Sequence, residues 1–102
     1  MVITSTTSRI EQRADELRAD PGTTAEVKSF VADLTVEDEV AALVEFAGGD
    51  VAILVNNAGM AQTGVPGGFG PVKDQTYADW QRQLDITLSS AFLMSKALLA
   101  KL

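Results

Sequence analysis

The chain of 102 residues contains neither cysteine nor histidine. Without cysteine there is no disulfide, thiolate nucleophile or sulfur ligand, and a reducing compartment is permitted. Without histidine the commonest general base and the commonest metal ligand are both gone, which excludes Ser-His-Asp hydrolysis and zinc hydrolysis within these residues. Cations are scarce: 8 Lys and Arg stand against 14 Asp and Glu, for a net charge of −6. A nucleic-acid partner needs clustered cations to neutralise phosphates, and this sequence assembles no such cluster. Apolar runs are short. The run Val51-Ala52-Ile53-Leu54-Val55 falls far below the ~20 residues that cross a bilayer. Arg9, Glu11, Arg13, Asp15, Glu16 and Arg18 lie where an export signal would need an unbroken apolar stretch. The expectation is a cytoplasmic protein with no nucleic-acid or membrane partner.

What is present is the balance of a folded soluble domain, with 46% hydrophobic and 22% charged residues. A length of 102 residues suits one domain rather than two. Val2 and Ile3 open a short strand that runs out into Thr4-Ser5-Thr6-Thr7-Ser8. A helix follows, with Ser8 and Glu11 at capping-box spacing, Ile10, Ala14 and Leu17 at helical intervals, and Pro21-Gly22 as its stop. A second strand is expected over 27–32. Thr35 and Asp38 repeat the capping-box spacing, and Val36, Val40, Leu43, Val44 and Ala47 mark one face of a second helix that ends at Gly48-Gly49. Residues 51–55, apolar without alternation, read as a strand covered on both faces. Residues 58–75 hold enough Gly and Pro to be a long loop. Thr76 and Asp79 form a third capping box, and Trp80, Leu84, Leu88, Ala91, Phe92, Ser95 and Leu99 trace a stripe on a final helix. Three strands alternating with three helices imply α/β architecture with a parallel sheet, in which ligands gather beyond the carboxyl ends of the strands.

Two motifs stand at such ends. Asp33-Leu34 closes the second strand and Asn56-Asn57-Ala58-Gly59 closes the third. Together they resemble the short-chain dehydrogenase/reductase family, whose fold is a Rossmann-like, doubly wound parallel sheet. The segment from Asp79 to Phe92, with Trp80 near its start, is similar to the family helix after that loop. The resemblance implies an oxidoreductase that moves hydride between a nicotinamide cofactor and a small carbonyl or alcohol substrate. Within the family the chain looks most like the 3-oxoacyl-carrier-protein reductase type. It also implies roles: Asp33 and Leu34 at the adenine, and Asn57, Ala58 and Gly59 against the cofactor ribose, where small residues let backbone approach ligand. Asn56 is read equally well as a brace that hydrogen-bonds neighbouring backbone. An acidic residue at the tip of the first strand would pair with a free ribose hydroxyl, whereas a 2′-phosphate needs hydroxyls and a cation. Ser5, Thr6, Thr7, Ser8 and Arg9 stand there, so NADP(H) is favoured over NAD(H), although Ser and Thr before a helix are also ordinary capping residues.

Other family features have no counterpart. No strand and glycine-rich turn precede Val2, and Gly67-Gly68-Phe69-Gly70 lacks the strand context to replace them. The only tyrosine, Tyr77, is followed four residues later by Gln81 rather than Lys, so it reads as a packing or surface residue; the catalytic Tyr-x-x-x-Lys is expected beyond Leu102. Thr87 occupies the position of the family's helix Asn and lacks that amide's paired donor and acceptor. A threonine back-bonded to its own helix is the alternative reading. The expectation is therefore a partial NAD(P)-binding Rossmann domain over 1–102, with the first strand and the C-terminal half missing. In the family sheet that first strand lies between those at Val2 and Val51. Its loss weighs against a net stability of about 5–15 kcal/mol for a domain of this size, so the isolated chain is expected to be marginally folded, inactive, self-associating or dependent on complementary segments. Two other readings stand beside this one: a non-catalytic module or homo-oligomer contact using Leu88, Phe92, Leu98, Leu99 and Leu102 of the final helix, and the product of a truncated gene.

Overall fold

A computed structural model describes residues 1–59 and 71–101. The strand β1 spans Val2–Ser5, the helix α1 Arg9–Ala19, the strand β2 Lys28–Val31 and the helix α2 Glu37–Ala47. Among the described residues, β1 and β2 form a two-stranded parallel sheet in which Val2 faces Lys28 and Ser5 faces Val31. A 3-10 turn over Val72–Asp74 leads to α3, Tyr77–Leu84, which continues through a π-helical turn, Asp85–Ser89, into α4, Ser90–Leu99.

Local chemistry accounts for most of these boundaries. Thr76 accepts from the Asp79 amide at 3.0 Å and Asp79 accepts from the Thr76 amide at 3.3 Å, so the third capping box forms as read. Gly48 ends α2 at φ 81°, a conformation that a side chain would strain, and its amide bonds the Val44 carbonyl. The other two boxes do not form. Ser8 is itself helical and caps through its carbonyl, which accepts from the Glu11 amide. Thr35 gives its hydroxyl to Asp33 instead, and α2 begins one residue later than a Thr35 cap would set it, with Val36 as its N-cap. The 3-10 turn falls inside the stretch read as a loop, of which 60–70 lie outside the described residues.

Pairing in register places Val2, Thr4, Phe30 and Ala32 on one face of the sheet. That face meets α2 and α4 in a core of Ala32, Val40, Leu43, Val44, Met94 and Leu98, with Val2, Phe30 and Leu34 packed at its margin. Phe30 and Phe46 add a ring pair at 4.9 Å. The helix α1 covers the opposite face with Ala14 fully buried. Its Arg18 donates twice to the Val27 carbonyl, at 2.9 and 2.6 Å, which fixes the helix C-terminus to the start of β2.

Two expectations are corrected. Residues 51–55 are not a hydrogen-bonded strand, and they are not covered on both faces: Ile53 is 81% and Val55 76% exposed. A strand exists only through a neighbour that takes its N–H and C=O groups, and a cavity of about 880 Å³ separates this segment from β1. The described sheet thus has two strands where three were expected. On the final helix the buried residues are Ser90, Met94 and Leu98, spaced four apart, whereas Trp80, Leu88, Phe92 and Leu99 of the expected stripe face outward. The π turn inserts an extra residue into the helical repeat and rotates the following face.

The radius of gyration, 15.6 Å, exceeds the ~13 Å of a compact domain of about 100 residues. The fold therefore leans on a small core. Leu43, 3% exposed, is at its centre, and Leu43→Ala is expected to lower stability by about 2–5 kcal/mol. Val72→Ala, at an 89% exposed position, is expected to stay within about 0.5 kcal/mol. Urea titration followed by far-ultraviolet circular dichroism checks both, and equal effects would contradict this placement of the core.

Candidate functional site at the carboxyl ends of the strands

Because β1 and β2 are parallel and Ser5 faces Val31, the loops after both strands leave the sheet on the same side. Ser5 to Arg9 occupy the first loop. Thr6, Thr7, Ser8 and Arg9 are exposed, and the Arg9 guanidinium donates to the Thr7 hydroxyl at 3.4 Å. No glycine-rich turn adjoins β1; Thr6, Thr7 and Ser8 follow it directly.

The second loop is built around Asp33. Its Oδ1 accepts from the Thr35 hydroxyl at 2.6 Å and from the Thr35 amide at 2.9 Å, a turn that aspartate favours after a strand. The Asp33 amide donates to the Glu39 carboxylate at 3.1 Å, and its carbonyl accepts from the Val36 amide. The Thr35 hydroxyl, and then the Thr35 amide, hold the Asp33 carboxyl below the ordinary aspartate range against a smaller opposing effect of burial. An ionised carboxylate in a fixed orientation, with Oδ2 free of hydrogen bonds among the described residues, is an acceptor for an N–H or O–H donor.

The third element follows 51–55. The Asn57 amide returns to the Val55 carbonyl at 3.2 Å in a tight turn. Asn56 reaches α4, its Nδ2 lying 3.4 Å from the Ser95 hydroxyl, rather than the neighbouring backbone its bracing role anticipated. Leu34, Asn56, Asn57 and Ala58 line one cavity together with Thr4 of β1. Leu34 and Asn56-Asn57-Ala58 thus share the wall of a cavity that also runs along β1 from Met1 to Thr4. Asp33, Gly59 and the Ser5 to Arg9 loop are not in the cavity wall. Among the described residues, a side chain at Gly59 would meet nothing within 4 Å. The Ser5 to Arg9 loop supplies no nest of backbone amides of the kind a glycine-rich turn presents to a pyrophosphate.

Thr87 lies in the π turn, exposed; among the described residues the back-bonded hydroxyl of this turn is that of Ser90, 2.6 Å from the Ile86 carbonyl. Sequence reasoning missed the π turn. The adjacent β-branched Ile86 and Thr87, which crowd a helix, are the one local sign of it. Tyr77 is 79% exposed and on the helix surface. Among the described residues no group of three metal-ligating side chains occurs, and no helix is long and apolar enough to cross a membrane.

Comparison with known proteins gives the same class. The family model for short chain dehydrogenases matches residues 1–102. Galactitol 2-dehydrogenase of Rhizobium johnstonii is 39% identical over 67 residues, covering 66% of this chain and 24% of that protein. NAD+-bound xylitol dehydrogenase superposes on 98% of the chain with a TM-score of 0.82 and 27% identity, the match covering 37% of that structure. A metagenomic short-chain oxidoreductase in complex with NADP superposes on 98% with a TM-score of 0.78 and 26% identity, covering 43% of that structure. The chain belongs to the short-chain dehydrogenase family. It spans about a quarter of the length of the curated relative, 24%.

The Thr35 hydroxyl sets the ionisation of Asp33, and Thr35→Val is expected to raise the Asp33 carboxyl toward the ordinary aspartate range, read by NMR titration of its side chain. A carboxyl depressed in the folded state adds stability above its unfolded pKa and loses it as pH falls through the folded value. The variant should therefore show a weaker acid dependence of stability, and an unchanged Asp33 titration would contradict the assigned bond.

Proposed function

We infer that the chain forms the adenosine-binding part of an NAD(P)-binding domain spanning 1–102, in an oxidoreductase that moves hydride between a nicotinamide cofactor and a small carbonyl or alcohol substrate. The observation that carries this is that Leu34, which follows β2, and Asn56, Asn57 and Ala58, which follow residues 51–55, line one cavity. When bound, the dinucleotide accepts or donates the hydride. The chain's own residues bind and orient it. The ionised Asp33 offers an acceptor to the adenine amino group, Leu34 packs against the base, and the Asn57-Ala58-Gly59 backbone lies along the ribose. No group of this chain stands as the catalytic acid: Tyr77 is on the surface without a lysine partner, and Thr87 could hold only a water. The reading is therefore of a cofactor-binding portion that is inactive by itself.

Cofactor preference rests on the first loop. Ser5, Thr6, Thr7, Ser8 and Arg9 present hydroxyls and a guanidinium with no acidic side chain, which suits a ribose 2′-phosphate. One similar structure holds NADP and another NAD+, so support for NADP(H) comes from these five residues alone. The exposed Leu88, Phe92 and Leu99 favour, as a second reading, a homo-oligomer contact through the last helix. A cytoplasmic location accords with this assignment.

Fluorescence titration distinguishes the cofactors. NADPH is expected to bind about tenfold more tightly than NADH, equivalent to about 1.4 kcal/mol, with Arg9→Ala removing the difference while leaving NADH unchanged. Tighter binding of NADH would remove the NADP(H) assignment, and association without nucleotide binding, seen by size-exclusion chromatography, would favour the interaction module.

A further inference from the structure

The Ala32 amide donates to the Ser5 carbonyl, and hydrogen-bonding groups alternate along a parallel strand. The Asp33 amide therefore points to the outer edge of the sheet, where no described strand runs. Glu39 takes that place: its carboxylate accepts from the Asp33 amide at 3.1 Å. The Val36 amide, bonded to the Asp33 carbonyl at 3.1 Å, turns the chain into α2, and a side chain in the first helical turn tilts back toward the helix start. Thr35 holds the Asp33 Oδ1 through its hydroxyl and its amide. Only Oδ2 is left to take a donor from a ligand.

These contacts differ in what they hold. The Thr35 and Val36 bonds lie within the turn 33–36 and travel with Asp33 if that turn tilts. The Glu39 bond reaches from the body of α2, where the next residue, Val40, is buried in the core. It is the tie that fixes where the carboxylate stands.

Position matters because an ionised carboxylate only accepts, and purines differ in where they donate. Adenine has an amino donor at C6 beside a bare N1. Hypoxanthine has a carbonyl oxygen at C6 and its donor one ring position away, at N1–H. A carboxylate held opposite the C6 substituent bonds the amino group and is repelled by the carbonyl oxygen. One that is free to tilt follows the donor to either place, and the discrimination is lost. We propose that Glu39 is a positioning residue which, by holding the Asp33 amide, makes the Asp33 carboxylate select a 6-amino purine over a 6-oxo purine. The inference rests on the reading of Asp33 at the adenine and adds the residue that makes this contact selective. Glu39 acts through Asp33.

The test titrates the whole 102-residue chain, isotope-labelled, with adenosine monophosphate and with inosine monophosphate, which differ in the purine ring alone. The unaltered chain is expected to bind the adenosine nucleotide about tenfold more tightly. Glu39→Ala, at an exposed position, should bring the two affinities to within about twofold and speed hydrogen exchange of the Asp33 amide. Glu39→Gln keeps an oxygen that accepts from that amide and should keep the preference. Glu37→Ala removes the same charge from the same turn, and Glu37 makes no hydrogen bond to Asp33 among the described residues, so the preference should again remain. A Glu39→Ala chain that weakens both nucleotides equally overturns the proposal, because Glu39 would then serve the fold alone. Loss of the preference in Glu37→Ala, or in Glu39→Gln as fully as in Glu39→Ala, also overturns it. Asp33→Asn separates this inference from the reading beneath it. If that variant abolishes the preference and Glu39→Ala does not, Asp33 meets the base and only the role of Glu39 falls; if it leaves the preference intact, or the unaltered chain binds neither nucleotide, both fall.

Discussion

A peptide group in a β-strand is half of a bond, and the other half must come from an adjacent chain. β2 supplies it to one edge of β1, through the Lys28 and Ala32 amides. The other edge and the whole of residues 51–55 have no such neighbour among the described residues. Much else in the structure follows from this. The apolar run 51–55 carries the side chains of a buried strand yet leaves Ile53 and Val55 largely in solvent. Its anchorage comes from its ends and one face: the Asn56 side chain near Ser95, and Val51 at the margin of the core. The cleft beside β1 is the same constraint seen as empty space.

The candidate site survives this incompleteness because its parts are held locally. Asp33 is fixed by Thr35, two residues away, and by Glu39 in the first turn of α2. The Asn57 turn closes on Val55. Neither arrangement needs the sheet to be continuous. Their relative placement depends on α2 and α4, which share the core of Val40, Leu43, Val44, Met94 and Leu98, and on Ala32 and Leu34 entering or flanking that core. A Lys101–Glu45 ion pair at 2.8 Å also joins the two helices, but it is exposed and contributes little beside the buried hydrocarbon.

The π turn shows how a single-residue irregularity reassigns a surface. A regular helix from Trp80 onward would put Leu84, Leu88, Phe92 and Leu99 near one face. With one extra residue in the wider turn Asp85–Ser89, Met94 and Leu98 turn inward beneath the cleft, and Ser90 is buried with its hydroxyl bonded to the Ile86 carbonyl. Phe92 then lies outside, 62% exposed, with the Lys96 ammonium 5.9 Å from its ring centre. The outward stripe and the inward core are products of the same turn.

The residues by themselves determined whatever is decided within a few positions along the chain: the Thr76 capping box, the glycine stop of α2 at Gly48, the place of α1 before Pro21-Gly22, and the motif pair at Asp33-Leu34 and Asn56-Asn57-Ala58-Gly59. Hydrogen bonds of short span and side-chain periodicity set these, and both are written in the order of amino acids. Only the tertiary structure decided that Thr35 serves Asp33 rather than capping α2, that 51–55 lacks a ladder, and that Met94 and Leu98 rather than Phe92 face the core. Each of these turns on which groups compete for a partner in space. A hydroxyl takes the nearest strong acceptor, a strand needs a neighbour at bonding distance, and a helix buries the face that its packing presents, none of which is a property of the local sequence.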